Sequence, residues 1–152
     1  MVELGGSVAT REMIDTGVAA GVKLWQLSGT GLDHVDVAYF LEKGLALTHT
    51  PGPFSAVALA EHALFLMLFL AKDFRAGQRS LAGRVIAQPT NEELAGKSLA
   101  IIGLGASGRE LAKRAWAMEM RVMAIDVADV AKTVRDELHI EFFGNSSQMD
   151  RV

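Results

Sequence analysis

The five residues Ser98–Ile102 (SLAII) break abruptly into Gly103, Gly105 and Gly108. No other stretch of the chain restricts its fold so tightly. The spacing is G-x-G-x-x-G; it follows a strand-like run and opens an amphipathic helix over Ser107–Met118. A second strand-like run, Arg121–Ile125, ends at Asp126, 18 residues beyond Gly108. Strand, glycine turn, helix, strand and acid, in that order, describe a parallel βαβ unit able to seat a dinucleotide. Gly103 permits the tight turn, Gly105 lets the main chain approach a pyrophosphate, and Gly108 lets helix and strand pack closely. The phosphates would meet the free N–H groups and positive end of the helix, whose first turn holds Ala106, Ser107 and Gly108. Asp126 would accept hydrogen bonds from the adenosine ribose and repel a 2′-phosphate. Val127-Ala128, not Arg, follow it, so NAD is expected over NADP. The plain alternative is a glycine-rich turn of some other α/β protein, with Asp126 a solvated strand-end acid.

The same alternation occurs earlier. Thr10 can cap a helix beginning REMID, and Lys23–Ser28 reads as a strand entering the tight loop Ser28-Gly29-Thr30-Gly31. Asp36 then caps VAYFLEK, and Leu45–His49 is a second short strand stopped by Thr50-Pro51-Gly52-Pro53. Next, a single long helix is expected from about Phe54 to Ser80, apolar on nearly every face in its first part. A helix apolar all round must be covered all round. So short a chain has little to cover it with, so a homodimer through Ala56–Ala71 is expected. Residues 81–96, with Pro89 and Gly96, read as a linker. Past Asp126, helix-like Val130–Leu138 and the apolar run Ile140–Phe143 continue the pattern.

Composition narrows the class. The net charge of -3 supplies no electrostatic footprint for nucleic acid or an anionic membrane. With no cysteine there is no disulfide, thiolate nucleophile or thiolate metal site. The N-terminus lacks the basic-then-apolar pattern of a secretory signal, so a cytoplasmic location is expected. Ala56–Ala71 is apolar enough to suggest a membrane span, but Glu61 and His62 interrupt it well short of the ~20 residues a bilayer needs.

Three stretches, KLWQLSGTGLDHVD, GLALTHTPGPFSAVALAEHALFLMLFLAK and GKSLAIIGLGASGRELAKRAWAMEMRVMAID, in this order and spacing, resemble the D-isomer-specific 2-hydroxyacid dehydrogenase family. The resemblance covers nearly the whole chain but only a middle portion of a family member. It implies a Rossmann-like parallel βαβ half-domain, residues 97–152, joined by a long helix to part of a flavodoxin-like substrate domain, residues 1–52. The helix, residues 53–80, would be the family's interdomain helix, which also packs at the subunit interface of its dimers. The loop Ser28–Gly31 resembles the cradle for the substrate carboxylate, making Gly29, Thr30 and Gly31 the substrate candidates beside the cofactor residues Gly103, Gly105, Ala106, Ser107, Gly108 and Asp126. Read alone, that loop is equally a glycine turn closing a strand.

The family's catalytic Arg, its His and the carboxylate that holds the His fall downstream of the portion matched here, so no catalytic residue is assigned. Pro53-Phe54-Ser55 also stand where the family frequently has an Asn, a departure from its pattern at the nicotinamide end. Of the four histidines, His62 beside Glu61 suits helix packing, His139 reads as a surface residue, and His34 and His49 lie near the presumed cradle. None comes with a visible partner for acid–base work. The expectation is an NAD-binding fragment of an oxidoreductase that moves a hydride between NAD and a 2-hydroxy or 2-keto acid in the complete protein. A non-catalytic nucleotide-binding module and one half of a split dehydrogenase are the alternatives.

Overall fold

The computed structural model describes residues 2–3 and 9–152. The chain divides into two units, Met1–Phe54 and Ser55–Val152.

The first unit is a three-stranded parallel sheet, β1 (Val2–Glu3), β2 (Leu24–Leu27) and β3 (Ala46–Thr48), in the order β1-β2-β3. Helix α1 (Arg11–Ala19) links the first two strands and α2 (Val37–Glu42) the second two. Both helices start where a side-chain oxygen can satisfy an unpaired amide. Thr10 Oγ1 accepts from the Met13 N–H at 3.2 Å, and Asp36 Oδ1 from the Tyr39 N–H at 3.1 Å. Trp25, Phe40 and Ile14 are fully buried, and the Trp25 and Phe40 rings meet edge to face at 5.5 Å. Outside this core, Tyr39 gathers charge. Its hydroxyl donates to Asp15, which pairs with Lys43 at 2.6 Å, and the Arg11 guanidinium lies 4.6 Å from the ring centre.

The second unit contains α3 (Ala56–Ala71), α4 (Phe74–Ala82), β4 (Ser98–Ile102), α5 (Ala106–Ala117), β5 (Arg121–Ile125), α6 (Lys132–Glu137) and β6 (Ile140–Gly144). The sheet is parallel in the order β4-β5-β6, with Ser98 opposite Arg121 and Ile102 opposite Ile125. Leu104, Ala112, Ala115, Val122 and Ala124 form its solvent-free centre. Small residues at 112 and 115, one turn apart on α5, let the helix lie close to the sheet. Helix α3 runs against α5, and its Met67, Leu68 and Ala71 join the same core.

One expectation changes here. The single helix from Phe54 to Ser80 is two helices: α3 ends at Ala71 with Lys72 as its C-cap, and Asp73 takes a left-handed conformation (φ 37°, ψ 57°). Asp tolerates that region better than most residues, and its Oδ1 caps the Ala76 N–H at 3.2 Å, so one residue ends α3 with its backbone and starts α4 with its side chain. As the shortness of the chain led us to expect, α3 is not covered all round within it: Leu59, Phe65 and Leu70 are more than half exposed. Among the described residues, no helix is long and apolar enough to cross a membrane.

Candidate functional site

Each glycine of the G-x-G-x-x-G turn has a separate physical reason. Gly103 sits at φ +99°, a conformation side chains rarely adopt. A Cβ on Gly108 would run into the Gly103 carbonyl oxygen and crowd the Ile101 side chain at 3.3 Å. Gly105 differs from both. Its φ of -75° suits any residue and a Cβ there would meet nothing within 4 Å, so nothing inside the chain demands glycine. The missing side chain instead leaves bare backbone facing open space, as a close-lying anion requires.

Helix α5 starts directly behind that opening. Its N-cap is Gly105, which has no side chain to satisfy the first-turn amides of Ala106, Ser107 and Gly108. Among the described residues, none of the three donates to a main-chain or side-chain oxygen. Three unpaired N–H groups at the positive end of a 12-residue helix are a fit for phosphate.

Asp126, at the tip of β5, leans over the same turn. Its Oδ2 accepts from the Leu104 N–H at 2.6 Å and its Oδ1 from the Ala128 N–H at 2.9 Å. The Ala128 and Leu104 amides hold its carboxyl below the usual carboxylate range, so it is an anion at neutral pH. Each oxygen keeps a free lone pair for a further donor. A cleft of about 350 Å³ opens beside it, lined by Asp126–Asp129 on one side and by Phe143, Asn145 and Gln148 on the other. The turn, the helix end, the acid and the cleft all lie at the carboxyl ends of β4, β5 and β6, where open α/β sheets hold their ligands.

In the first unit, the loop after β2 carries Gly29, Thr30 and Gly31. The Thr50 N–H donates to the Gly29 carbonyl at 3.0 Å, and His49 Nδ1 lies 3.0 Å from the Thr30 carbonyl. Neither glycine has a positive φ, and a Cβ on Gly29 would meet nothing within 4 Å. The other histidines do no visible chemistry. His62 leans on Phe65, its neighbour Glu61 sits 3.8 Å from Arg114, His34 is exposed, and His139 stacks on the Trp116 ring at 3.8 Å. Among the described residues, no cluster could hold a metal ion.

Residues 64–149 match the model of the D-isomer specific 2-hydroxyacid dehydrogenase, NAD binding domain. The chain belongs to the D-isomer-specific 2-hydroxyacid dehydrogenase family. Two curated members of it illustrate the extent of the likeness. The chain is 36% identical over 130 residues to a hydroxypyruvate reductase of Thermotoga maritima, covering 84% of itself and 42% of that protein. Against a D-3-phosphoglycerate dehydrogenase of Methanocaldococcus jannaschii it is 29% identical over 151 residues, 98% of itself and 28% of the relative. It thus spans less than half the length of these relatives. Among solved structures, D-lactate dehydrogenase from Aquifex aeolicus, complexed with NAD and lactic acid, superposes with a TM-score of 0.78 at 24% identity, over 93% of this chain and 42% of that one. That likeness supports the Rossmann-like parallel α/β fold.

The dinucleotide is NAD for the domain the family model describes. Reading the sequence alone left out Phe143, Asn145 and Gln148, although they line the cleft beside Asp126. They carry no motif. Their place follows from the pairing of β6 with β5, which sets Gly144 opposite Ile125.

Proposed function

We propose that this chain forms the adenosine and pyrophosphate half of an NAD site together with a carboxylate-binding loop. In this reading Gly103 shapes the turn, Gly105 admits the pyrophosphate, and Ala106, Ser107 and Gly108 donate their amides to it. Asp126 accepts from the ribose hydroxyls, and Gly29, Thr30 and Gly31 hold the acid group of a 2-hydroxy or 2-keto acid. One observation carries the cofactor assignment. A carboxylate held by the Leu104 and Ala128 amides stands beside an uncapped helix end and a glycine whose missing side chain leaves open space in front of it. When bound, NAD supplies the hydride acceptor; the residues here bind and orient it, and their anionic acid disfavours a 2′-phosphate. The complete protein is read as an oxidoreductase acting on the CH–OH group of a 2-hydroxy acid, and no residue of this chain is assigned proton transfer.

Association belongs to the same reading. The uncovered side of α3 presents Leu59, Phe65 and Leu70, and a second copy of the chain is the occupant proposed for it.

Calorimetric titration of the chain with NADH tests the cofactor half. The expected result is saturable binding, weakened at least about tenfold by Asp126→Ala, which removes a charge-assisted hydrogen bond to a ribose hydroxyl. Absence of saturation at millimolar NADH would refute it.

A further inference from the structure

The loop Ser28–Gly31 is tied back at two consecutive carbonyls, and both ties come from residues at the end of β3. The Gly29 carbonyl takes the Thr50 N–H, and the Thr30 carbonyl faces His49 Nδ1, each at 3.0 Å. A carbonyl oxygen can only accept, so Nδ1 carries the proton and Nε2 is left as the outward nitrogen in the neutral ring. The geometry of the peptide unit does the rest. Both bonds in this loop are trans, so each C=O points opposite to the N–H of the following residue. Turning the Gly29 and Thr30 oxygens toward residues 49 and 50 therefore turns the Thr30 and Gly31 N–H groups away from them. Among the described residues neither amide has an acceptor, and the position of a Gly29 Cβ is open space. Outward N–H groups without an acceptor are donors open to an anion.

We propose that His49 is a positioning residue for this loop. Its Nδ1–H, acting with the Thr50 amide, holds the Thr30 and Gly31 amides as a preformed pair of donors for the carboxylate of a short 2-oxo acid. This rests on the reading of the loop as a carboxylate cradle. Thr50 alone fixes one carbonyl and leaves the next peptide free to rotate. The His49 side chain removes that freedom, since the main chain at residue 49 supplies no second donor to the loop.

The test is an amide NMR titration of the isotope-labelled 152-residue chain with glyoxylate, on the wild type, H49A and H49N. Asn carries an N–H donor at similar reach, so it can replace the imidazole bond. In the wild type, Thr30 and Gly31 signals are expected to shift saturably with glyoxylate, and a long-range ring spectrum to show the proton on Nδ1. H49A should move or broaden the same two amide signals even without ligand. It should also raise the dissociation constant about tenfold, the factor one hydrogen bond commonly supplies. H49N should restore both, with the thermal midpoint unchanged across the three proteins. Loop signals and affinity in H49A within twofold of wild type would overturn the proposal. If the wild type does not respond to glyoxylate, the cradle reading fails on its own. The ligand-free comparison of H49A with H49N then still decides whether His49 sets the loop: unchanged signals in both refute it, and a change in H49A reversed in H49N upholds it.

Discussion

A methyl group on Gly108 would collide with the Gly103 carbonyl oxygen, whereas one on Gly105 would meet nothing within 4 Å. The two glycines should therefore fail differently. Gly108→Ala forces turn and helix apart and is expected to cost about 1–3 kcal/mol, lowering the thermal midpoint by several degrees in calorimetry. Gly105→Ala should leave that midpoint within about a degree of wild type, because the site is open and its backbone suits any residue. It should nevertheless reduce NADH affinity at least about tenfold, by occupying the space the pyrophosphate needs. A Gly105→Ala protein that binds NADH normally would remove the main argument for the site. Asp126 adds a pH signature. Its folded pKa is depressed by the Ala128 and Leu104 amides, so its stabilisation is fully present above the unfolded value, near 3.9, and is lost as pH falls through the lower folded value. Chemical denaturation between pH 5 and pH 3 should show a steeper loss of stability in the wild type than in Asp126→Asn, whose amide does not titrate.

At the scale of elements, the break between α3 and α4 is the feature with the clearest mechanism. Asp73 combines a left-handed backbone with an N-cap at 3.2 Å to Ala76. Asp73→Ala loses the cap and must hold a conformation that costs Ala roughly 1–2 kcal/mol, so a total loss of about 2–3 kcal/mol is expected in urea melts. Asp73→Asn, which tolerates the same backbone and caps as well, should lose a few tenths at most. Sequence periodicity missed this break because an Asp among polar residues is compatible with a continuing helix. The strands were legible for the opposite reason. Ser98–Ile102 and Arg121–Ile125 are short apolar runs bounded by glycine or acid, and β4 and β5 have those bounds. The caps at Thr10 and Asp36 were equally legible, since each is a local bond three residues long in sequence. Strand β1 was not, because two residues carry no pattern.

For the whole molecule, the uncovered apolar side of α3 sets the expectation. Leu70 is 77% exposed and Phe65 55%, on a helix whose other side is packed against α5. Light scattering at micromolar concentration should report a dimer, and Phe65→Glu with Leu70→Glu should give a monomer with its far-ultraviolet spectrum intact. A wild-type monomer would leave the α3 face without the proposed partner. The turn Gly103–Gly108, its helix and its terminal acid follow from the sequence alone, because the steric demands of glycine, helix capping and strand alternation act over a few residues. So does membership of the dehydrogenase family, through three stretches in fixed order. Only the tertiary structure decided what surrounds them: that the Leu104 amide closes on Asp126 across 22 residues, that β6 brings Asn145 and Gln148 to the cleft, and that His49 reaches the Thr30 carbonyl. These contacts depend on strand register and loop path, which many distant side chains settle together and no local spacing encodes.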